Sequence, residues 1–180
     1  MADGARRPGG YNHRMPATAF HLITDWSFAA PREAVWEALM AAEQWPSWWR
    51  AVAAVERLAA GDANGVGAVR RMTWRTALPY SLTFDMRMTR IEPMTLIEGR
   101  AEGELTGLGR WSLSGDGART QVRYEWIVDV TKPWQRLLAP VLRPVFTWNH
   151  NVVMGWGEAG LRRRLTARSP DGAKRNPGSD

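Results

Sequence analysis

The chain has 180 residues and 20.3 kDa, enough to bury a sizeable core in a single domain with short tails. With 44% hydrophobic residues, 11 Trp, no Cys and no apolar run near the ~20 residues of a bilayer span, it is not a disordered chain, a helical membrane protein or a disulfide or thiol protein. The net charge of +6 sits at the ends, three Arg against one Asp in 1–17 and six basic against two acidic residues in 162–180; the balanced body lacks the basic face of a nucleic-acid reader.

Residues 1–17 are polar and Gly/Arg-rich with no apolar signal segment, so a disordered tail and a cytoplasmic location are expected. From Phe20 to Phe28 the pattern alternates. Phe20, Leu22, Thr24, Trp26 and Phe28 share one side, and His21, Ile23, Asp25 and Ser27 the other, which reads as a half-buried strand. Pro31 marks a helix start, followed by Glu33 in the first turn and Val35, Ala38, Leu39 and Ala42 at helical spacing. Trp45-Pro46-Ser47-Trp48-Trp49 breaks that helix and is expected to cap one mouth of any cavity beneath it. The stretch Gly61-Asp62-Ala63-Asn64-Gly65 is turn chemistry.

From Gly67 to Val130 the period is two throughout. Met72 and Trp74, then Leu82, Phe84, Met86 and Met88, then Ile97, Gly99 and Ala101 hold one face. Gly109, Trp111 and Leu113, then Val122, Tyr124, Trp126 and Val128 continue it. The opposite parity carries Arg71, Asp85, Arg87, Glu98, Arg100, Glu102, Arg123 and Glu125, alternating in sign as on a solvated sheet face. Short connections at Glu92-Pro93-Met94 and Ser114-Gly115-Asp116-Gly117 predict an antiparallel meander.

A long helix follows, from Trp134 to about Leu165. Trp134, Leu138, Val141, Val145, Trp148, Val152, Trp156 and Ala159 form its apolar stripe, with Asn149 at the edge and Pro140 and Pro144 expected to kink or divide it. Only that stripe is long enough to cover the sheet's apolar face. The fold class is therefore α+β, about seven antiparallel strands with two short helices after the first strand and a long C-terminal helix. The domain spans 18–166, and 167–180 is a disordered basic tail.

The order of these elements, with Ala30-Pro31…Val35-Trp36, Trp45-Pro46…Trp48-Trp49, Gly65-Val66-Gly67, Gly103-Glu104-Leu105…Gly109-Arg110-Trp111 and Phe146-Thr147-Trp148-Asn149-His150, resembles the SRPBCC (START/Bet v 1-like) superfamily. Within it, the sequence is most similar to bacterial proteins of the polyketide cyclase/dehydrase-like kind. The resemblance implies a helix-grip fold, a curved sheet around the C-terminal helix with an apolar cavity between them. Members bind or transport lipids and other hydrophobic molecules, and some cyclise or dehydrate polyketides; fold kinship alone does not choose between these.

The residues favour a hydrophobic small molecule as the partner. Trp26, Trp74, Phe84, Met86, Trp111, Tyr124, Trp126, Trp148, Asn149, Val152 and Trp156 are the expected ligand-binding set. Each ring alone fits an ordinary core, but so many together are hard to interdigitate without a gap. Arg70 shares the inward parity and is expected at an edge with its head in water. Tyr124, Asn149 and His150 are the candidates for catalysis. His150 falls about 180° in helical phase from Val141 and is expected to face solvent.

No metal or cofactor is expected. His13, His21 and His150 lack ligand spacing, and Gly155-Trp156-Gly157-Glu158-Ala159-Gly160 spells a dinucleotide motif inside a helix, without the strand that motif needs. No stable membrane insertion is expected either. An exposed apolar face near Phe146, Met154 and Leu161 would leave a homodimer open. Two functions follow: a carrier of an aromatic, polyketide-like or lipid molecule, or a cyclase/dehydratase that works mainly by positioning its substrate.

Overall fold

The computed structural model describes residues 19–129 and 133–168; the side chains of 19, 129, 133–142 and 168 are not among those described. The expected tails lie outside these residues, except that the last helix continues through 167 and 168. Strand β1 (Ala19–Phe28) leads to helix α1 (Arg32–Met40), a 3-10 turn (Ala42–Ser47), and strands β2 (Val52–Ala59), β3 (Val69–Arg75), β4 (Ser81–Glu92), β5 (Leu96–Gly103), β6 (Gly107–Gly115) and β7 (Thr120–Asp129). Helix α2 (Pro133–Arg168) closes the chain.

The seven strands make one antiparallel sheet in the order β1-β7-β6-β5-β4-β3-β2. Consecutive strands pair as hairpins, and β1 returns to pair with β7 along its whole length, from Ala19↔Asp129 to Phe28↔Thr120. Register shifts at Val52/Ala54, Arg57/Ala59 and Met88/Arg90 bend the β2–β5 half. Thr120, fully buried, donates to the Ala30 carbonyl at 2.7 Å and ties the start of β7 to the turn before α1.

The inward parity is the expected one. Trp26, Phe28, Met72, Phe84, Ile97, Ala101, Trp111, Leu113, Val122 and Trp126 are buried on one face. The other face is a ladder of ion pairs, Arg71–Asp85 at 2.8 Å, Arg110–Glu98 at 2.7 Å and Arg123–Asp25 at 2.8 Å, with His21 3.7 Å from Glu125. The sheet begins earlier than its period-two pattern: β2 lies before the Gly61–Gly65 turn, where the Ala-rich Val52–Ala59 shows little alternation.

Helix α2 runs beside β1. Phe146 meets Phe20 edge-on at 5.8 Å, His150 reaches Thr24, and Arg162 donates to the Ser27 carbonyl at 3.0 Å. Across the sheet Asn149 reaches the β3–β4 loop, accepting from the Ala77 N–H at 2.7 Å, so the helix bridges both ends of the curve. This is the helix-grip arrangement. Pro140 and Pro144 lie inside one continuous 36-residue helix and do not divide it.

The helix phase differs from the sequence reading. Among the described residues, Val153, Met154, Gly157, Gly160, Leu161 and Leu165 are its buried positions, whereas Val145 is 40% and Trp148 51% exposed and Ala159 lies outward. The cause is glycine. A Cβ at Gly160 would overlap the carbonyl oxygen of Trp48, and one at Gly157 the ring of Trp49. The helix turns its smallest residues to the largest rings, a contact a hydrophobic stripe does not register. Phe146, Met154 and Leu161 are turned into the fold accordingly, not out of it. Of the Gly155–Gly160 motif, Gly157 and Gly160 have a packing role instead.

Candidate functional site

The 3-10 turn and the residues after it carry three buried tryptophans into the curve of the sheet. Trp49 is the hub: fully buried, it packs against Trp26 at 5.5 Å, Trp45 at 5.3 Å, Trp48 at 5.5 Å and Trp74 at 4.9 Å. Its Nε1–H donates to the Val153 carbonyl of α2 at 2.9 Å, which fixes the ring at the helix surface. Rings at these separations, many of them edge-on, are mutually stabilising beyond their buried area. The turn is thus core, and none of its tryptophans is presented to a membrane.

Between this cluster and the sheet lies an apolar recess of about 90 Å³. Trp45, Trp49 and Leu39 approach it from one side, and Met72, Trp74, Phe84, Met86, Trp111 and Tyr124 from the strands. Met40, Met88 and Arg70 also reach it. Gly99 and Gly109, paired across β5 and β6, lie at its floor. A Cβ at Gly99 would stand 2.8 Å from the Met86 sulfur, and one at Gly109 3.0 Å from the Tyr124 hydroxyl, so both positions leave room for side chains from neighbouring strands. Among the described residues no α2 side chain lines the recess; it opens between the sheet and the α1/3-10 segment.

Of the expected ligand-binding residues, Trp74, Phe84, Met86, Trp111 and Tyr124 meet at this recess. Trp26 is buried beside it against Phe28, Trp49 and Trp111. Trp126 packs behind, 6.3 Å from Phe84 and 6.2 Å from Tyr124. On α2, Val152 is half-buried, Trp156 lies under the Arg50 guanidinium at 4.6 Å, and Trp148 faces out. Leu39, Met40, Trp45 and Trp49 were not in the expected set. Met72, Met88 and Ile97 carry the right parity, and that parity was the signal for them.

Polar groups are few. Tyr124 stacks on Trp111 at 4.1 Å, and burial pushes its phenol well above the usual range, so it stays protonated and able to donate. His150, expected in solvent, faces the sheet: its Nε2 and the Thr24 hydroxyl share a hydrogen bond at 3.0 Å, and its ring lies 6.3 Å from that of Tyr124. Burial pushes its pKa down to about 4, so the imidazole is neutral at pH 7. The shifted helix phase that turns Trp148 out turns His150 in. The carbonyl of Asn149 is taken by the Ala77 N–H.

Arg70 is not at a solvated edge. Its side chain is only 14% exposed, lines the recess, and donates from Nε to Glu43 at 3.1 Å. Glu43, on the 3-10 turn, also accepts from Arg57 at 2.7 Å. Burial disfavours its charge, but the Arg57 hydrogen bond and the nearby Arg70 charge outweigh that and hold the carboxyl below its usual range. The Trp74 indole nitrogen is buried with no hydrogen-bond partner among the described residues.

Residues 21–165 match the model of the family described as polyketide cyclase / dehydrase and lipid transport. No curated protein matches. Among solved structures, the Thermus thermophilus protein TTHA0849 is 18% identical, with a TM-score of 0.67 over 83% of this chain and 99% of its own. A START superfamily protein from Mycobacterium smegmatis is 15% identical, with a TM-score of 0.67 over 82% of this chain and 97% of its own. The Zhui aromatase/cyclase from Streptomyces sp. R1128 is 22% identical, with a TM-score of 0.56 over 83% of this chain and 98% of its own. These likenesses bear on fold.

Proposed function

The chain belongs to the polyketide cyclase / dehydrase and lipid transport family, and from that premise we propose that it binds an uncharged, ring-bearing hydrophobic molecule in the recess beneath Trp45 and Trp49. The observation that carries this reading is the make-up of the lining. Apart from the ion-paired Arg70, its side-chain polar groups are the Tyr124 hydroxyl and indole N–H groups; those of Trp45 and Trp49 donate to the Ala38 and Val153 carbonyls, and that of Trp74 is buried with no partner among the described residues. An unpaired buried donor costs about 1–3 kcal/mol, which a guest oxygen would recover. Apolar walls with a few convergent donors are the usual composition of a small-molecule site.

At about 90 Å³ the recess is smaller than the ~300 Å³ of ordinary ligand sites. Its walls account for the difference: Met40, Met72, Met86 and Met88 line it, and unbranched methionines can rearrange around a guest. The protein is then a carrier, cytoplasmic in location. Among the described residues, Arg71, Arg110 and Arg123 of its charged sheet face pair with Asp85, Glu98 and Asp25, and the exposed Arg87 and Arg100 without an ion pair do not amount to a broad basic surface for nucleic acid. Native mass spectrometry of the purified protein tests this. A retained apolar molecule supports the reading, and a bare polypeptide that takes up no neutral aromatic probe contradicts it.

A catalytic reading is favoured by one arrangement, the part-buried Thr24–His150 hydrogen bond beside Tyr124. There Tyr124 and the Asn149 amide would donate to oxygens of a folded polyketide-like substrate, and positioning would supply most of the rate. A neutral His150 with a pKa of about 4 is a weak base at pH 7 and would act as a hydrogen-bonding group. Turnover of candidate polyketides that survives Tyr124→Phe and Asn149→Ala unchanged excludes this reading.

A further inference from the structure

Arg57 and Arg70 are direct cross-strand partners on β2 and β3. Like charges placed opposite each other destabilise a sheet. One carboxylate relieves both: Glu43 bridges the two Nε–H groups at 2.7 and 3.1 Å. Exposure falls from 56% at Arg57 through 30% at Glu43 to 14% at Arg70, so the cluster crosses from solvent to the recess wall. What stands at the rim is a two-guanidinium anion site with a carboxylate of the protein already in it.

We propose that Glu43 determines the charge selectivity of the recess, excluding apolar acids and admitting uncharged apolar molecules. The inference rests on the recess being the binding site, as proposed above. An acid reaching Arg70 must displace Glu43 from two charge-assisted hydrogen bonds, which are stronger than neutral ones, or sit beside it as a second negative charge. A neutral guest leaves the cluster whole. Without the Glu43 charge, two unneutralised guanidiniums remain, the exposed Arg57 and the largely buried Arg70, each with the planar fork that binds carboxylates.

The test is isothermal titration at pH 7.5 with 2-naphthamide and 2-naphthoic acid, which share a shape and differ in charge. The wild type is expected to bind the amide at least ~10-fold more tightly than the acid. Glu43→Gln should raise acid affinity at least ~10-fold while moving the amide by less than ~3-fold, and the gain should vanish in Glu43→Gln/Arg70→Met. Acid binding equal to amide binding in the wild type, or an unchanged ratio in Glu43→Gln, overturns the selectivity and leaves the binding site standing. Failure of both probes to bind overturns the binding site and the selectivity with it. The wild-type ratio needs no variant, so the inference is tested even if Glu43→Gln does not fold.

Discussion

Replacing Gly155 or Gly160 with Ala adds the same methyl group to the same helix, and the two changes should move stability in opposite directions. In a helix interior the substitution gains about 1 kcal/mol from propensity alone. At Gly155 nothing lies within 4 Å of the new Cβ, so the gain is realised and Tm rises by ~2–4 °C for a chain of this size. At Gly160 the Cβ overlaps a backbone oxygen, that of Trp48, which is held in place by the fully buried Trp49 beside it. Overpacking of this kind costs about 1–3 kcal/mol or more, because a backbone atom cannot swing aside like a side-chain end. Gly160→Ala should therefore lower Tm by several degrees, and Gly157→Ala, which meets the Trp49 ring, should also lower it. Thermal unfolding followed by circular dichroism at 222 nm measures all three. A stabilising Gly160→Ala, or a destabilising Gly155→Ala, would refute the helix phase on which the placement of His150 depends.

The pH dependence of stability follows from His150. Its folded pKa of about 4 lies below the unfolded value of 6.5, so the unfolded chain binds the extra proton and stability falls as pH drops from 6.5 toward 4. About 2 kcal/mol should be gone by pH 5, and urea unfolding of His150→Asn should show a flatter profile over that window. Thr120→Val should destabilise by about 1–3 kcal/mol, measured in the same way, because it leaves the Ala30 carbonyl without the hydroxyl that satisfies it in a buried position. Trp49→Phe should cost more than Trp74→Phe, since Trp49 loses an indole hydrogen bond while Trp74 loses a donor with no partner among the described residues. Equal unfolding midpoints for those two variants would contradict the assigned roles.

The sheet was legible because an antiparallel meander with one wet face writes its orientation into alternate residues. Asp85, Glu98 and Arg100 fall outside and Phe84, Ile97 and Trp111 inside, as parity requires. Strand β2 was less legible, since an Ala-rich segment carries little contrast between its faces. Helix α2 was legible in extent but not in phase. A hydrophobic stripe treats glycine as neutral, whereas Gly157 and Gly160 sit on the buried face because two tryptophans occupy the space their side chains would fill. That one omission put Trp148 inside and His150 outside.

The recess was legible through the strands and, as the expected cap over one mouth, through Trp45-Pro46-Ser47-Trp48-Trp49. Trp74, Phe84, Met86, Trp111 and Tyr124 share it because they share a parity, while Trp45 and Trp49 come from an irregular segment that no period describes. The Glu43–Arg70 pair joins residues 27 apart in a turn and a strand, and local sequence carries no mark of such a meeting. Arg70 leaves water only because Glu43 arrives to neutralise it.

Methyl-resolved NMR of methionine-labelled protein, titrated with 2-naphthamide, puts the hydrophobic-binding account to its most direct trial. Met40, Met72, Met86 and Met88 line the recess, while Met154 is buried on α2 and does not line it. The account requires the first four methyl resonances to shift and saturate together while Met154 stays in place. Saturating probe that leaves those four unmoved would mean that the recess is a packing gap and that the guest, if there is one, binds elsewhere.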